Sequence, residues 1–389
     1  MLARNAWEKR KLREVSDVRD GTHASPKYYS QGYPLVTSKN LTSAGLDFSN
    51  ISLISELDYK NINKRSRVDK GDILFGMIGT IGTPVMVHES NFAIKNVALI
   101  KEREAVLNSF LVQLLKSPAF INYIRNENVG GTQKFLSLNT IRNFRFSFPT
   151  SKEQAMVSRF LEKIDSLIAA TQDKIDALEQ AKRALLQRLF DQSWRFKGYS
   201  DPWEKRKLSE VTNLITKGTT PREKGGRGEV NFIKVENLSK NGNIFTTSKV
   251  SVSEHQGYLA RSILQENDIL FSIAGSLGRT AIVPKLVLPA NTNQALAIIR
   301  LSTGCVEFVA TYLSGEAIDR YIRRNPTVGA QPNISLTQVA SLQIDWPSLH
   351  EQEVISKLFA RVKDLIAATQ SRLSSLELLK KALLQDLFI

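Results

Sequence analysis

The chain has 389 residues, 42% apolar and 23% charged, which excludes a mostly disordered polymer and provides for two to three domains with sizeable cores. One cysteine, Cys305, and four scattered histidines (His23, His88, His255, His350) exclude a disulfide framework and a Cys-based zinc site and leave no readable metal cluster. The anomaly is charge: 53 Lys and Arg against 38 Asp and Glu, a net +15 that calls for a polyanionic partner.

The first eleven residues carry charge and no apolar stretch, so a signal peptide is not expected. No run approaches the roughly 18 apolar residues of a membrane span. The basic residues are spread over many loops and do not line one helix face, which favours nucleic acid over an anionic membrane surface. A cytoplasmic location is the expectation.

Residues 1–150 read as a β-rich head. Strands are expected near 72–78, 85–87 and 98–100, and a helix over 109–125. Gly79-Thr80-Ile81-Gly82 is too short, and lacks the lysine, for a P-loop. A bare hairpin turn needs no function, yet its amides and Thr80 are of the kind that meet phosphates. Loop residues with groups suited to bases or phosphates are Thr22, His23, Lys27, Lys39, Asn40, Gln133 and Lys134. Such loop cations and amides are often merely solvated, so each is a candidate only. Asn96, before an apolar strand, reads as a structural Asx turn.

Residues 151–192 read as one long helix. Its seam runs Val157, Leu161, Ile164, Ile168, Thr171, Ile175, Leu178, Lys182, Leu185, Leu189, alternating steps of four and three. That heptad pattern, sustained over more than four repeats, predicts a coiled coil rather than a helix packed on its own head. At 1.5 Å per residue, about 40 residues make a rod of about 60 Å.

Residues 193–348 are a second head. Trp203-Glu-Lys-Arg-Lys-Leu repeats Trp7-Glu-Lys-Arg-Lys-Leu at an offset of 196, and Asp268-Ile-Leu-Phe repeats Asp72-Ile-Leu-Phe at the same offset. Strands are expected near 231–235, 268–273 and 296–301, with a helix over 306–324. Here the candidate DNA contacts are Lys217, Thr219, Thr220, Arg222, Lys224, Arg227, Lys234, Ser276, Arg279, Gln331 and Asn333. Asn293 matches Asn96 and is again read as an Asx turn. Between the matching blocks the heads diverge: 20–40 bears little resemblance to 217–236.

Residues 349–389 repeat the long helix. Glu153 to Phe190 and Glu351 to Phe388 share 18 identities in 38 positions. The second seam runs Ile355, Phe359, Val362, Ile366, Thr369, Leu373, Leu376, Lys380, Leu383, Leu387. The first helix delivers the chain to the second head, so a second helix pairing with it must run back antiparallel. The fold class is therefore α+β: two β-rich heads held apart by a long antiparallel two-helix coiled coil, duplicated about a pseudo-two-fold axis. Thr171 and Thr369 are polar seam positions of the kind that trade stability for register.

The helices are nearly neutral, with seven basic and seven acidic residues in 151–192 and six against five in 349–389. The heads carry 21 against 13 (1–150) and 19 against 13 (193–348), so the surplus is +8 and +6. Two basic heads on such a rod suit two duplex sites separated by about 17 base pairs at most. No methyltransferase box, Gly-x-Gly-x-x-Gly, Walker A, His-Glu-x-x-His or nucleophile triad is present, so no catalysis is expected of this chain.

In their duplicated order these motifs resemble the specificity subunit (HsdS type) of Type I restriction–modification systems. The resemblance is carried by both Trp-Glu-Lys-Arg-Lys-Leu blocks, Gly71-Asp-Ile-Leu-Phe with its glycine loop, Asn333-Ile-Ser-Leu, Pro347-Ser-Leu-His-Glu-Gln-Glu and Pro149-Thr-Ser-Lys-Glu-Gln. It implies a target recognition domain in each head, reading one half of a bipartite DNA site, with 20–23 and 217–221 in the variable, base-reading part. It implies that the helices act as a ruler and dock two adenine methyltransferase subunits, and with them restriction subunits. It implies no cofactor on this chain; S-adenosylmethionine, ATP and magnesium would belong to the partners. The equivalent of segment 194–202, which precedes the second head, is missing or altered before the first, so imperfect symmetry is expected there. The alternative is a stand-alone tandem nucleic-acid-binding scaffold without an enzyme partner.

Overall fold

The computed structural model describes residues 7–127, 135–222, 228–239, 241–324 and 333–388. They gather into two compact units, Met1–Gln172 with Ser371–Ile389, and Asp173–Gln370.

In the first unit, Ile73-Leu-Phe-Gly and Val97-Ala-Leu-Ile-Lys are nearly unbroken apolar runs, the pattern of strands covered on both faces. They are the middle strands of a four-stranded antiparallel sheet, ordered Asp17–Asp20, Val97–Lys101, Ile73–Gly76, Gly82–Met86. Alternate residues serve different cores. Ile73, Phe75, Ala98 and Ile100 face a cluster shared with helices, and Leu74, Val97 and Leu99 face a second cluster behind the sheet. A smaller sheet orders Ser52–Ile54, Tyr33–Val36 and Ala93–Ile94, the last pair parallel. Glu8–Lys11, the first repeat block, pairs with Arg145–Phe148 just before the long helix.

The second unit repeats this plan. Its main sheet orders Thr212–Lys217, Leu296–Leu301, Ile269–Ser272 and Thr280–Ile282. The side sheet orders Ser248–Val250, Val230–Ile233 and Ala290–Thr292, and Glu204–Lys207 pairs with Gln343–Trp346.

Two expected helices are each broken in two. The 109–125 segment forms Asn108–Leu115 and Pro118–Glu127, because Pro118 has no N–H to continue a helix and disfavours helical backbone at Ser117. The 306–324 segment forms Val306–Leu313 and Glu316–Arg324, divided at Gly315, whose N–H closes on Tyr312 O.

The long helices span Ser151–Phe190 and Leu349–Leu387. Every predicted seam position is buried or half-buried. In the first unit Leu161 shares a core with Leu384 and Phe388; in the second, Leu189 shares one with Ile355 and Phe359. In both, the start of one helix lies beside the end of the other, so they run antiparallel. Thr171 and Thr369 are buried, and each hydroxyl donates to its own helix, to Leu167 O (2.6 Å) and Leu365 O (2.7 Å).

A duplicated glutamine ties each helix to its head. Buried Gln154 accepts from Leu107 N (2.9 Å) and donates to Ala105 O and Pro149 O; buried Gln352 accepts from Cys305 N (2.9 Å) and donates to Pro347 O. Arg195 clamps buried Glu351 through Nε (3.0 Å) and Nη2 (2.7 Å), and Trp203 Nε1 donates to the same carboxylate.

Candidate nucleic-acid interface

Each head presents a Gly-Thr turn at the end of its first main-sheet strand. Gly21 N donates to Val97 O and Thr22 N to Ile94 O; Gly218 N donates to Leu296 O and Thr219 N to Thr292 O. A Cβ on either glycine would drive into the neighbouring carbonyl, of Ile94 or of Thr292, so only glycine lets the chain pass there. The two stretches that diverge in sequence therefore share one backbone course.

Around the first turn, His23 is held by Asp20 (Nε2 to Oδ2, 2.8 Å) and by Asn96 (Nδ1 to Oδ1, 2.9 Å). Asn96 adopts a left-handed backbone (φ +56°), and its side-chain oxygen meets His23. Asn293 is an Asx turn, accepting from Ala295 N, and the segment from Thr292 to Leu296 is one residue longer than its counterpart from Ile94 to Val97. Lys95 Nζ donates to Ser25 Oγ (2.8 Å), and Lys27 lies 5.6 Å from the Tyr29 ring centre. A cleft of about 460 Å³ opens between 22–26 and the helix Glu56–Ser66, lined by Asp58, Asn61 and Arg65.

Around the second turn, the Thr219 hydroxyl accepts from Arg261 Nε (3.1 Å) and Thr220 hydrogen-bonds Gln294. The Arg222 guanidinium stacks 3.8 Å from the centre of the exposed Tyr258 ring, with its backbone N–H on Glu254. Lys217 is exposed beside them at the strand end.

Two expected contacts, Asn40 and Arg279, take other roles. Asn40 Oδ1 accepts from Thr37 N (2.9 Å) and Thr37 Oγ1 (3.0 Å), and its Nδ2 donates to Asp47 O, so the amide closes a turn and is not offered to a base. Asn237 closes the equivalent turn in the second head, a repeat hidden in the divergent sequence. Arg279 Nη1 donates to Leu238 O (3.0 Å) and Val235 O, pinning the glycine loop to that turn. Lys234 faces Glu236 at 3.6 Å. Lys39, Thr80 and Ser276 are exposed, and exposed Asn333 bridges to Ala274 in the second glycine loop. Gln133, Lys134, Lys224, Arg227 and Gln331 lie outside the described residues.

Beneath the loops, each main sheet holds a buried carboxylate against a cation. Lys101 bonds Asp69 (2.8 Å) and Asp72 (2.7 Å); burial favours its neutral form, and these carboxylates overcome that and raise its pKa. In the second head Arg300 grips Asp268 through Nε (2.7 Å) and Nη2 (2.8 Å), and Asp268 holds the arginine pKa up against burial. Among the described residues no three His, Cys, Asp or Glu side chains gather as a metal site.

The sequence reading missed Arg65, Lys95, Tyr258, Arg261 and Gln294. A signal existed for two of them: Arg65-Ser66 and Arg261-Ser262 match at the same offset of 196.

Comparison with known proteins is consistent over nearly the whole chain. The family model described as Type I restriction modification DNA specificity domain matches twice, at residues 5–180 and 200–378. A putative Type I restriction enzyme specificity subunit, MjaX, of Methanocaldococcus jannaschii is 24% identical, over 97% of this chain and 92% of its own. The EcoBI specificity subunit of Escherichia coli is 23% identical, over 77% and 68%. The solved S subunit of a Type I restriction-modification system from M. genitalium has a similar fold, with a TM-score of 0.64 at 15% identity over 100% and 98% of the two chains. The HsdS subunit from Thermoanaerobacter tengcongensis gives 0.51 at 18% identity, over 98% and 96%. No described helix is long and apolar enough to cross a membrane.

Proposed function

The chain belongs to the Type I restriction modification DNA specificity family, and on that premise we propose that each head reads one half of a bipartite duplex DNA site. The observation that carries this is the duplicated Gly-Thr turn, one per head, each ringed by cations and hydrogen-bonding side chains. Such loops combine phosphate contacts, which position, with base-edge contacts, which specify.

The continuous 40- and 39-residue helices serve as the ruler between half-sites and as the seat of two methyltransferase subunits. The docking role is supported by Met156, Phe160 and Leu167, exposed apolar side chains at spacings of four and seven on one face of the first helix. This subunit supplies the address and no chemistry. S-adenosylmethionine, ATP and magnesium belong to the partner subunits, and the target adenine must be flipped out to be methylated.

The test is methylome sequencing of the host with and without the gene. A bipartite adenine motif should vanish on deletion, and an unchanged methylome rejects the assignment. Native mass spectrometry should give two methyltransferase subunits per chain; a one-to-one complex counts against two equivalent docking surfaces.

A further inference from the structure

We propose that Arg65 and Arg261 are a matched pair of specificity-determining arginines, one per head, each aimed at its half-site by a residue in or next to the Gly-Thr turn of its head. The inference rests on the reading that the heads bind DNA.

Four observations lead to it. The two arginines sit at the same offset of 196 as the strand motifs, inside segments with little other identity. Each follows the side-sheet strand in its head: Arg65 near the end of the helix Glu56–Ser66, Arg261 in the short turn Ala260–Ser262. Each is exposed and reaches back to its own turn region, Arg65 to the carboxylate of Asp20 just before the turn and Arg261 to the Thr219 hydroxyl within it. Each is followed by a serine that is buried, Ser66 or Ser262, which fixes the backbone carrying it.

Neither arginine serves the core. The Arg65 side chain is 67% exposed while the Asp20 carboxylate holding it is only 16% exposed, so the carboxylate orients a fork whose other nitrogens face solvent at the cleft. Asp20 also meets His23, so one acid positions both side chains. Arg261 is tethered through Nε to an uncharged hydroxyl, with the Arg222–Tyr258 stack in the same head. A planar guanidinium held by one edge leaves its other edge to take a guanine or a phosphate bidentately. The tethers also differ. Asp20 offsets part of the charge of Arg65, which suits base readout, whereas Thr219 leaves that of Arg261 whole, which adds a phosphate-type, salt-dependent component.

The test replaces the chromosomal gene by Arg65→Gln, Arg261→Gln, Arg65→Lys and Arg261→Lys variants and reads adenine methylation genome-wide. Purified full chains are also melted, and titrated against a 40-base-pair duplex carrying the wild-type motif over a range of salt. Arg65→Gln should relax or change one half of the motif only, and Arg261→Gln the other half only. Each should weaken binding about 10- to 100-fold with an unchanged melting temperature. Arg261→Gln should also lower the salt slope by about one, with Arg261→Lys restoring the slope but not the base preference. A wild-type motif that every variant reproduces in full overturns the inference and leaves the DNA-reading assignment standing. A wild type with no motif removes both. If a variant loses methylation altogether, unchanged affinity for the duplex overturns the inference, and weakened affinity at an unchanged melting temperature supports it.

Discussion

Asp165 and Lys380 form an ion pair in the first unit, whereas the residues that match them by the duplication, Lys363 and Lys182, set two like charges together in the second. The repeat thus makes its helix contact attractive in one unit and repulsive in the other.

Lys363 shows the consequence. Although Lys363 is exposed, partial desolvation of its ammonium first, then the Lys182 charge, lowers its pKa from the ordinary 10.5, and solvent screening keeps the effect small. Its folded pKa lies below its unfolded one, so the folded state carries a penalty at neutral pH. That penalty fades as pH rises through the folded pKa toward 10.5, because the unfolded chain then holds the extra proton. Lys363→Gln should stabilise by about 0.2–1 kcal/mol at pH 7, with the gain shrinking at alkaline pH. Urea melts at pH 7 and pH 10 check it, and a gain that grows with pH would contradict the assignment.

Asp268 is fully buried and accepts two bonds from Arg300. Asp268→Asn leaves the guanidinium half-buried without a counter-charge and should cost about 3–5 kcal/mol. Differential scanning calorimetry should show the loss. A melting temperature within a degree of wild type would mean the pair is not what holds that sheet.

Gln154 and Gln352 each close backbone groups at a head–helix junction. Gln→Leu at either site keeps the volume near but orphans those groups, at about 1–3 kcal/mol for each buried group left unpaired. Limited proteolysis should open the Pro149 or Pro347 segment first. Equal cleavage rates in variant and wild type would refute the lock.

Thr171 and Thr369 donate to their own helix backbones, so each hydroxyl is satisfied locally. Replacing both with isoleucine adds buried carbon and should raise stability by about 1 kcal/mol per site. Their register role is then read by engineered-cysteine crosslinking across the helices. An unaltered crosslinking pattern in the double variant would sink it.

Gly218 allows the second turn to pass beneath the Thr292 carbonyl. Gly218→Ala should cost about 1–3 kcal/mol by forcing the backbones apart. It should degrade recognition of one half-site only, read by motif-resolved methylation. Loss of both halves together would argue against independent heads.

Much of the architecture was open to pattern reading. The offsets of 196 and 198, the alternating steps from Val157 to Leu189, and the surplus of +8 and +6 on the heads required nothing beyond the chain. They are local periodicities and sums, and burial acts on periodicity directly. The seam predicted from spacing is the face that is buried.

The interface was legible only in part. Sequence can show that Asn40 and Arg279 have the right groups for DNA, but not that Thr37, Asp47, Val235 and Leu238 already occupy them. It can show Arg65 and Arg261 repeating, but not that each reaches a turn more than 40 residues away in the chain. The duplication, the helices and the charge were thus set by sequence alone. Which polar side chains remain free for a partner was decided by tertiary folding, because a hydrogen-bonding group is consumed by whatever donor or acceptor the chain brings beside it.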